Sequence, residues 1–297
     1  MLVAGTVPIR DFPLTIGRAV LEGEGLVVDG RRIPCAQGTG AMISAALAAV
    51  DYLELDAPQV VVAGDIGQGK GSREIYEYLI QKVSDISPQV MVLHYCLPIM
   101  ALMRRLCESI QRCADKVLMI ADAGSMYAAK AAGLASHFDI FTPDATEMAF
   151  LADRDATHPA YIARHLFDAD MGQIPGLIAD AYEHNNAARL LLVKGATDHV
   201  VDSGDIVASV EKPNVPALEA VGGTGDTITG LVSAFVHAGL ELREAAIVAA
   251  RSNRMAGKFA EATPATRVRQ IIGQYQAVFK EYLCQWSGVC YAEGGQQ

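Results

Sequence analysis

The sequence predicts a three-layer α/β fold with a largely parallel central sheet flanked by helices. Two observations predict it. Short aliphatic and β-branched runs alternate with helix-length segments through most of the chain. Several of these runs empty into a loop that opens a helix, as parallel strands do when they return through a crossover. No low-complexity linker interrupts the alternation. Residues 1–297 are therefore expected to form one domain, with 1–32 and 287–297 as poorly defined ends.

Composition excludes several function classes. The chain has 297 residues, 51% of them hydrophobic and 20% charged, which fits a folded core rather than a disordered chain. Its net charge of −10 argues against a general nucleic-acid binder, which needs a basic face. Cysteines lie at 35, 96, 107, 113, 284 and 290 without a C-x-x-C pair, so no metal site is expected from them. They fit reduced thiols in a cytoplasmic protein. There is neither a secretory leader pattern nor an apolar run of about 18 residues, so no membrane association is expected.

In chain order, Leu26-Val27-Val28 with Asp29-Gly30 reads as a strand and turn, and Arg31-Arg32 opens the second strand of a hairpin. Gly38-Thr39-Gly40 precedes a helix over Ala41–Tyr52, rich in Ala, Leu and Met. These small residues suit either a packing surface or, at Gly40, a ligand contact. Val60–Ala63 is a buried strand that feeds Gly64–Ser72 and a helix over Arg73–Val83. That loop nearly spells the phosphate motif G-x-x-x-x-G-K-[ST], with Asp65 and Lys70 as candidate ligand residues. Gly71, however, stands where a hydroxyl should hold magnesium.

Val90–Leu93 is the next strand, ending at His94-Tyr95-Cys96-Leu97-Pro98, and Ile99–Cys113 follows as a helix. His94 is either a substrate contact or a structural histidine. Val117–Ile120 leads to Asp122, which lies where open α/β sheets bind ligands but would equally cap a helix over Met126–Ala135. Asp139–Pro143 is a short strand. Asp144 and Glu147 then start a helix, and Glu147 could reach the site. Residues 153–170 read as irregular surface, Ile174–Glu183 as a helix, and Leu190–Val193 as a buried strand before Lys194-Gly195-Ala196. His199–Asp202 and Ile206–Val210 form a hairpin. Leu242–Glu261 and Ala265–Trp286 are long helices, and residues 294–297 a loose tail.

The main functional signal is Val221-Gly222-Gly223-Thr224-Gly225-Asp226, followed by an apolar helical segment over Leu231–Ala238. Glycines let a phosphate approach the backbone, and a helix N-terminus offers free N–H groups and a favourable dipole. A carboxylate beside such an anion site, Asp226, makes sense if it takes a proton or faces a cation. The plain alternative is a glycine turn with Asp226 as an N-cap.

The order of these pieces resembles the ribokinase-like superfamily, and within it the NAD(P)H-hydrate dehydratase, carbohydrate-kinase-like branch. Gly38-Thr39-Gly40-Ala41 is similar to its early G-x-x-G-A-A segment, and Asp122-Ala123-Gly124 to its D-A-D/G element. Thr142-Pro143 with Glu147-Met148 is similar to T-P-H-P-G-E-M, Lys194-Gly195-Ala196 to K-G-A, and Gly222–Asp226 to G-G-[ST]-G-D. The likeness spans about residues 38–260. It implies ATP or ADP as cofactor, with Mg2+, and a small-molecule substrate. Lys194, Gly195, Gly222, Gly223, Thr224 and Gly225 would border the nucleotide, with Asp226 as acid/base residue. It also implies self-association into a homo-oligomer. In this branch the phosphoryl group goes to a hydroxyl of hydrated nicotinamide, and elimination restores the cofactor.

The chain departs from the pattern on the substrate side. Asp144 replaces the histidine after T-P, Thr197 comes one residue early in the nucleotide loop, and His94–Pro98 stands in place of G-P-G-L-G. An ATP- or ADP-dependent dehydratase is the first reading. A small-molecule kinase for a sugar, alcohol or vitamin precursor, a non-catalytic nucleotide-binding protein, and a P-loop NTPase using Gly64–Ser72 are the alternatives.

Overall fold

The computed structural model of the protein describes residues 1–23, 25–158 and 173–289. Its strands are β1 (Leu2–Val7), β2 (Thr15–Glu22), β3 (Gly25–Val28), β4 (Arg31–Pro34), β5 (Gln59–Gly64), β6 (Val90–His94), β7 (Leu118–Asp122), β8 (Ile140–Phe141), β9 (Leu190–Val193), β10 (Asp198–Asp202) and β11 (Asp205–Val210). The longer helices are α1 (Gly38–Tyr52), α2 (Lys70–Ile86), α3 (Met100–Ile110), α4 (Ala123–Ala131), α5 (Ala145–Ala152), α6 (Ile174–Glu183), α7 (Thr224–His237) and α8 (Leu242–Phe259).

All 11 strands join one sheet in the order β11-β10-β9-β8-β7-β6-β1-β5-β2-β3-β4. The run from β5 to β9 is parallel, and both edges are antiparallel. Parallel strands are buried on both faces, which is why they read as continuous aliphatic runs. Alternate residues sort the core into two halves. Val60, Val62, Val90 and Val92 pack with α1, α7 and α8, while Val61, Ala63, Met91 and Leu93 pack with α2 to α6.

The first 32 residues correct the expectation of a poorly defined end, since they supply β1, the strand between β5 and β6, and most of the edge β2–β3–β4. Gly5 interrupts the aliphatic pattern of β1, and it does so for a reason. A Cβ there would lie 2.5 Å from His94 O and 2.8 Å from Thr39 Cγ2. The missing side chain lets α1 and the end of β6 close on the sheet.

The expected helix over Ala265–Trp286 is broken. It consists of α9 (Val268–Ile272), α10 (Tyr275–Val278), a π-helical turn at Phe279–Leu283 and α11 (Cys284–Ser287). Gly273 and Gln274 separate the first two pieces, in keeping with the poor helix propensity of glycine. Cys284 is disulfide-bonded, against the expectation of six reduced thiols. Cys35, Cys96, Cys107 and Cys113 are free. The irregular segment expected over 153–170 is described only to residue 158, and the tail at 294–297 lies outside the described residues. Among the described residues, no helix is long and apolar enough to cross a membrane.

Helices α1 and α7 cross closely, and Gly230 is the point of contact. A Cβ there would sit 2.1 Å from Met42 O. Gly230→Ala should therefore cost about 1–3 kcal/mol, read as a lower urea midpoint. Gly176→Ala is the control. Its Cβ meets nothing within 4 Å, so stability should hold or rise by up to about 1 kcal/mol.

Candidate active site

The C-terminal ends of β1, β6, β7 and β9 face the N-termini of α1 and α7. Gly223 precedes α7 at φ 97°, a left-handed conformation that favours glycine. Its turn is pinned from behind. Thr224 Oγ1 donates to Leu218 O at 2.9 Å, and Asn253 Nδ2 donates to Thr224 O at 3.2 Å. Thr227 Oγ1 and Tyr275 OH each lie 2.8 Å from Asn253 Oδ1. The first turn of α7 thus presents N–H groups without intrahelical acceptors, backed by a rigid polar lattice.

Beside this turn lies a cleft of about 280 Å³, with Lys194, Gly195, Thr224 and Gly225 on its wall together with Asn214 and Asn253. Arg254 shapes the wall from below. Its Nε donates to Asp198 Oδ2 at 2.7 Å, and its Nη2 to Gly195 O and Ala196 O at 2.8 and 2.9 Å. Sequence reading missed Asn253, Arg254 and Tyr275, because nothing in their local pattern sets them apart from other helical residues.

A cluster of buried charges adjoins the cleft. Asp122, 2% exposed, caps α4 through Ala123 N and accepts from Lys194 Nζ at 3.0 Å on both oxygens. Of the two roles the sequence leaves open, the structure shows the helix cap. Thr229 Oγ1 donates to Asp122 Oδ2 at 2.6 Å, and Thr142 in turn donates to Thr229 at 2.8 Å. Burial would raise the Asp122 carboxyl, but Lys194, then His94 and Thr229, hold it well below the usual carboxylate range. Burial would lower the Lys194 ammonium, but Asp122, Glu147 and Asp226 hold it above its usual range.

Asp226 lies in the first turn of α7, and Gly223 rather than Asp226 is the N-cap. Gly38 N, at the start of α1, donates to Asp226 Oδ2 at 2.6 Å. His94 Nε2 is 3.2 Å from Asp226 Oδ1 and 3.6 Å from Asp122 Oδ2, shared between them without good alignment to either. Burial would depress the His94 imidazole. The two carboxylates outweigh it and push the value up to about 9. Asp226 thus sits beside an imidazole whose protonated form the two carboxylates favour.

The remaining candidates divide. Asp144 caps α5 in a reciprocal box with Glu147 and also lines the cleft. Glu147 is buried, and burial, opposed by Lys194 and assisted by Asp122 and Asp144, pushes its carboxyl up to about 8. Gly40 is not on the substrate side. A Cβ there would meet Pro34 O at 2.2 Å, so the residue serves packing of α1 on β4. Gly38 and Thr39, its neighbours, are the ones that reach the cluster.

Loop 64–72 is closed as an anion site. Asp65 accepts from the N–H groups of Gly67, Gln68, Gly69 and Ser72 at 2.9–3.0 Å, and from Ser72 Oγ at 2.8 Å. Burial opposes its ionisation, yet these donors hold the carboxyl below its usual range. The donors a phosphate would need are taken. Lys70 starts α2 as an exposed residue.

His94, Asp122 and Asp226 offer ligand atoms within 4.8 Å of one another. They do not fit Mg2+, which requires oxygen ligands in an octahedron, because one donor is an imidazole and Lys194 already occupies both Asp122 oxygens.

The family described as NAD(P)H-hydrate dehydratase matches residues 35–274. An uncharacterised protein of Methanocaldococcus jannaschii is 36% identical over 231 residues, covering 78% of this chain and 95% of its own. The bifunctional NAD(P)H-hydrate repair enzyme of Pyrobaculum aerophilum is 34% identical over 158 residues, 52% of this chain and 28% of that enzyme. Among solved structures, a mutant phosphofructokinase-2 from Escherichia coli superposes with a TM-score of 0.53 at 14% identity, over 93% of this chain and 99% of the other. Pyridoxal kinase from Entamoeba histolytica gives 0.52 at 14% identity, over 92% and 94%. At such identities the structures speak for the fold alone, and that fold is the ribokinase-like one. With a match over 240 residues of ordered motifs, the chain belongs to the NAD(P)H-hydrate dehydratase family of carbohydrate-kinase-like proteins.

Proposed function

We propose that the protein is an ATP- or ADP-dependent NAD(P)H-hydrate dehydratase in which Asp226 is the acid/base residue. The observation that carries this reading is the setting of Asp226. Its side chain, 12% exposed, lies between the glycine turn at the start of α7 and the His94–Asp122–Lys194 cluster. Nucleotide phosphates would lie against the first turn of α7, with the rest of the nucleotide in the cleft beside Lys194 and Gly195. The hydroxyl of hydrated nicotinamide attacks the terminal phosphorus, the bond to the departing nucleotide breaks, and the hydroxyl proton passes to Asp226. Phosphate then leaves with the C–O bond electrons while the adjacent ring carbon loses its proton to solvent, and the new C=C bond restores the nicotinamide cofactor. Such a transfer asks the protein for positioning and charge stabilisation more than for covalent help.

A small-molecule kinase would use the same Asp226 and stop at the phosphorylated hydroxyl. The departures at Asp144 and at His94–Pro98 favour that second reading, since they fall on the substrate side. Incubation with hydrated NADH and ATP or ADP separates the two. Recovery of NADH absorbance with equal release of inorganic phosphate supports the dehydratase, and nucleotide turnover only with another alcohol supports the kinase.

Asp226→Asn should lower kcat by about 10³-fold and leave nucleotide affinity within about twofold, measured by steady-state kinetics and calorimetry. Lys70→Ala should leave nucleotide affinity unchanged. A loss beyond about tenfold would move the phosphate site to loop 64–72.

A further inference from the structure

Hydrogen bonding around His94 fixes its state. Thr39 Oγ1 lies 2.7 Å from Thr6 O, and a carbonyl oxygen only accepts, so the single Thr39 hydroxyl proton points there. The same Oγ1 lies 3.0 Å from His94 Nδ1 and has only lone pairs left to offer. His94 Nδ1 therefore carries a proton. On the other side, Nε2 meets Asp226 Oδ1 at 3.2 Å and Asp122 Oδ2 at 3.6 Å, both of them acceptors. A bare nitrogen lone pair against two carboxylates, fully buried, would be repelled by both and solvated by neither.

We propose that His94 is a positioning residue of this site, a buried imidazolium that keeps the Asp226 carboxylate aimed at the acceptor hydroxyl. The charge state of His94 stands on the geometry alone, whereas its role toward the hydroxyl rests on the reading of Asp226 given above. The charged and titratable groups around it are consistent. Asp122 faces it from the end of β7 and Asp226 from α7. Lys194 approaches through Asp122, and the Tyr95 ring packs edge-on at 4.6 Å. From α1 and β1 the contacts are the uncharged Thr39 and Thr6. Two cations thus balance two carboxylates.

Gly38 N–H donates to Asp226 Oδ2, and His94 Nε2 lies 3.2 Å from Oδ1. These contacts fix its direction. A loose phosphoryl-transfer transition state does not require a strong base, because charge there sits mainly on the phosphoryl oxygens. The segment His94–Pro98, where the chain departs from the glycine-rich family loop, thereby gains a definite task.

The test is nitrogen NMR of the full-length protein labelled in its histidine rings, with His94→Gln assigning the signal. At about pH 7.5 an ordinary imidazole is about nine-tenths neutral. His94 should instead show two protonated ring nitrogens and titrate near 9. In Asp226→Asn the midpoint should fall by at least about one pH unit. A neutral ring at about pH 7.5 in the native protein, or a midpoint unmoved by Asp226→Asn, overturns the proposal. The ring state is read without substrate, so absence of dehydratase turnover would not be confused with failure here. The folded value exceeds the unfolded one, so this group adds stability that is full below pH about 6.5 and lost as pH rises through about 9. Melting temperature should accordingly fall more steeply over that window in native protein than in His94→Gln. Given turnover, His94→Gln should lower kcat on the order of 10²-fold with nucleotide KM nearly unchanged. An equal loss in both would mark a merely structural role.

Discussion

A buried carboxylate is the constraint to which the rest of the site answers. Asp122 is 2% exposed at the end of β7, where an unpaired negative charge would be prohibitively costly. Strands to either side of it in the sheet supply the remedy. The chain leaving β9 brings Lys194, and β6 ends on His94. Because parallel strands all end at one edge, residues about 30 to 100 positions apart in sequence converge there without any of them lying on a long loop. α7 completes the arrangement with Thr229 and Asp226, one helical turn apart on the same face.

The same geometry gives the carboxylate beside the glycine turn a partner of its own. The Asp226 side chain itself lies at the N-terminus of a second helix, since Gly38 N–H at the start of α1 donates to it. Two helix N-termini therefore converge. One of them is occupied by a protein carboxylate.

Much of this was legible in the sequence, and the exceptions have physical causes. The strands from Val60 to Val193 announce themselves because burial on both faces demands aliphatic runs. β1 did not, because Gly5 and Thr6 in its middle serve the approach of Thr39 and the end of β6 rather than the core pattern. The glycine turn and Asp226 stood out because close backbone approach requires a special composition. Arg254, Asn253 and Tyr275 did not, because their importance comes from what tertiary structure brings against them. Loop 64–72 shows the opposite error. Its letters suggest a phosphate cradle, and the cradle exists, but Asp65 fills it. The pattern of glycines encodes the nest, whereas its occupant depends on one side chain whose direction the pattern does not carry.

Tyr275 gives the arrangement a temporal order. Its hydroxyl meets Asn253, which holds Thr224 and Thr227, so the broken helical run over 268–287 acts as a strut for the turn before α7. Neither residue is near its partners in sequence. During synthesis the ribosome releases residues 222–226 well before residue 275, and in that interval the turn lacks its brace. A nascent chain released only as far as α8 would carry every letter of the glycine motif and still lack the Tyr275 hydroxyl that braces it.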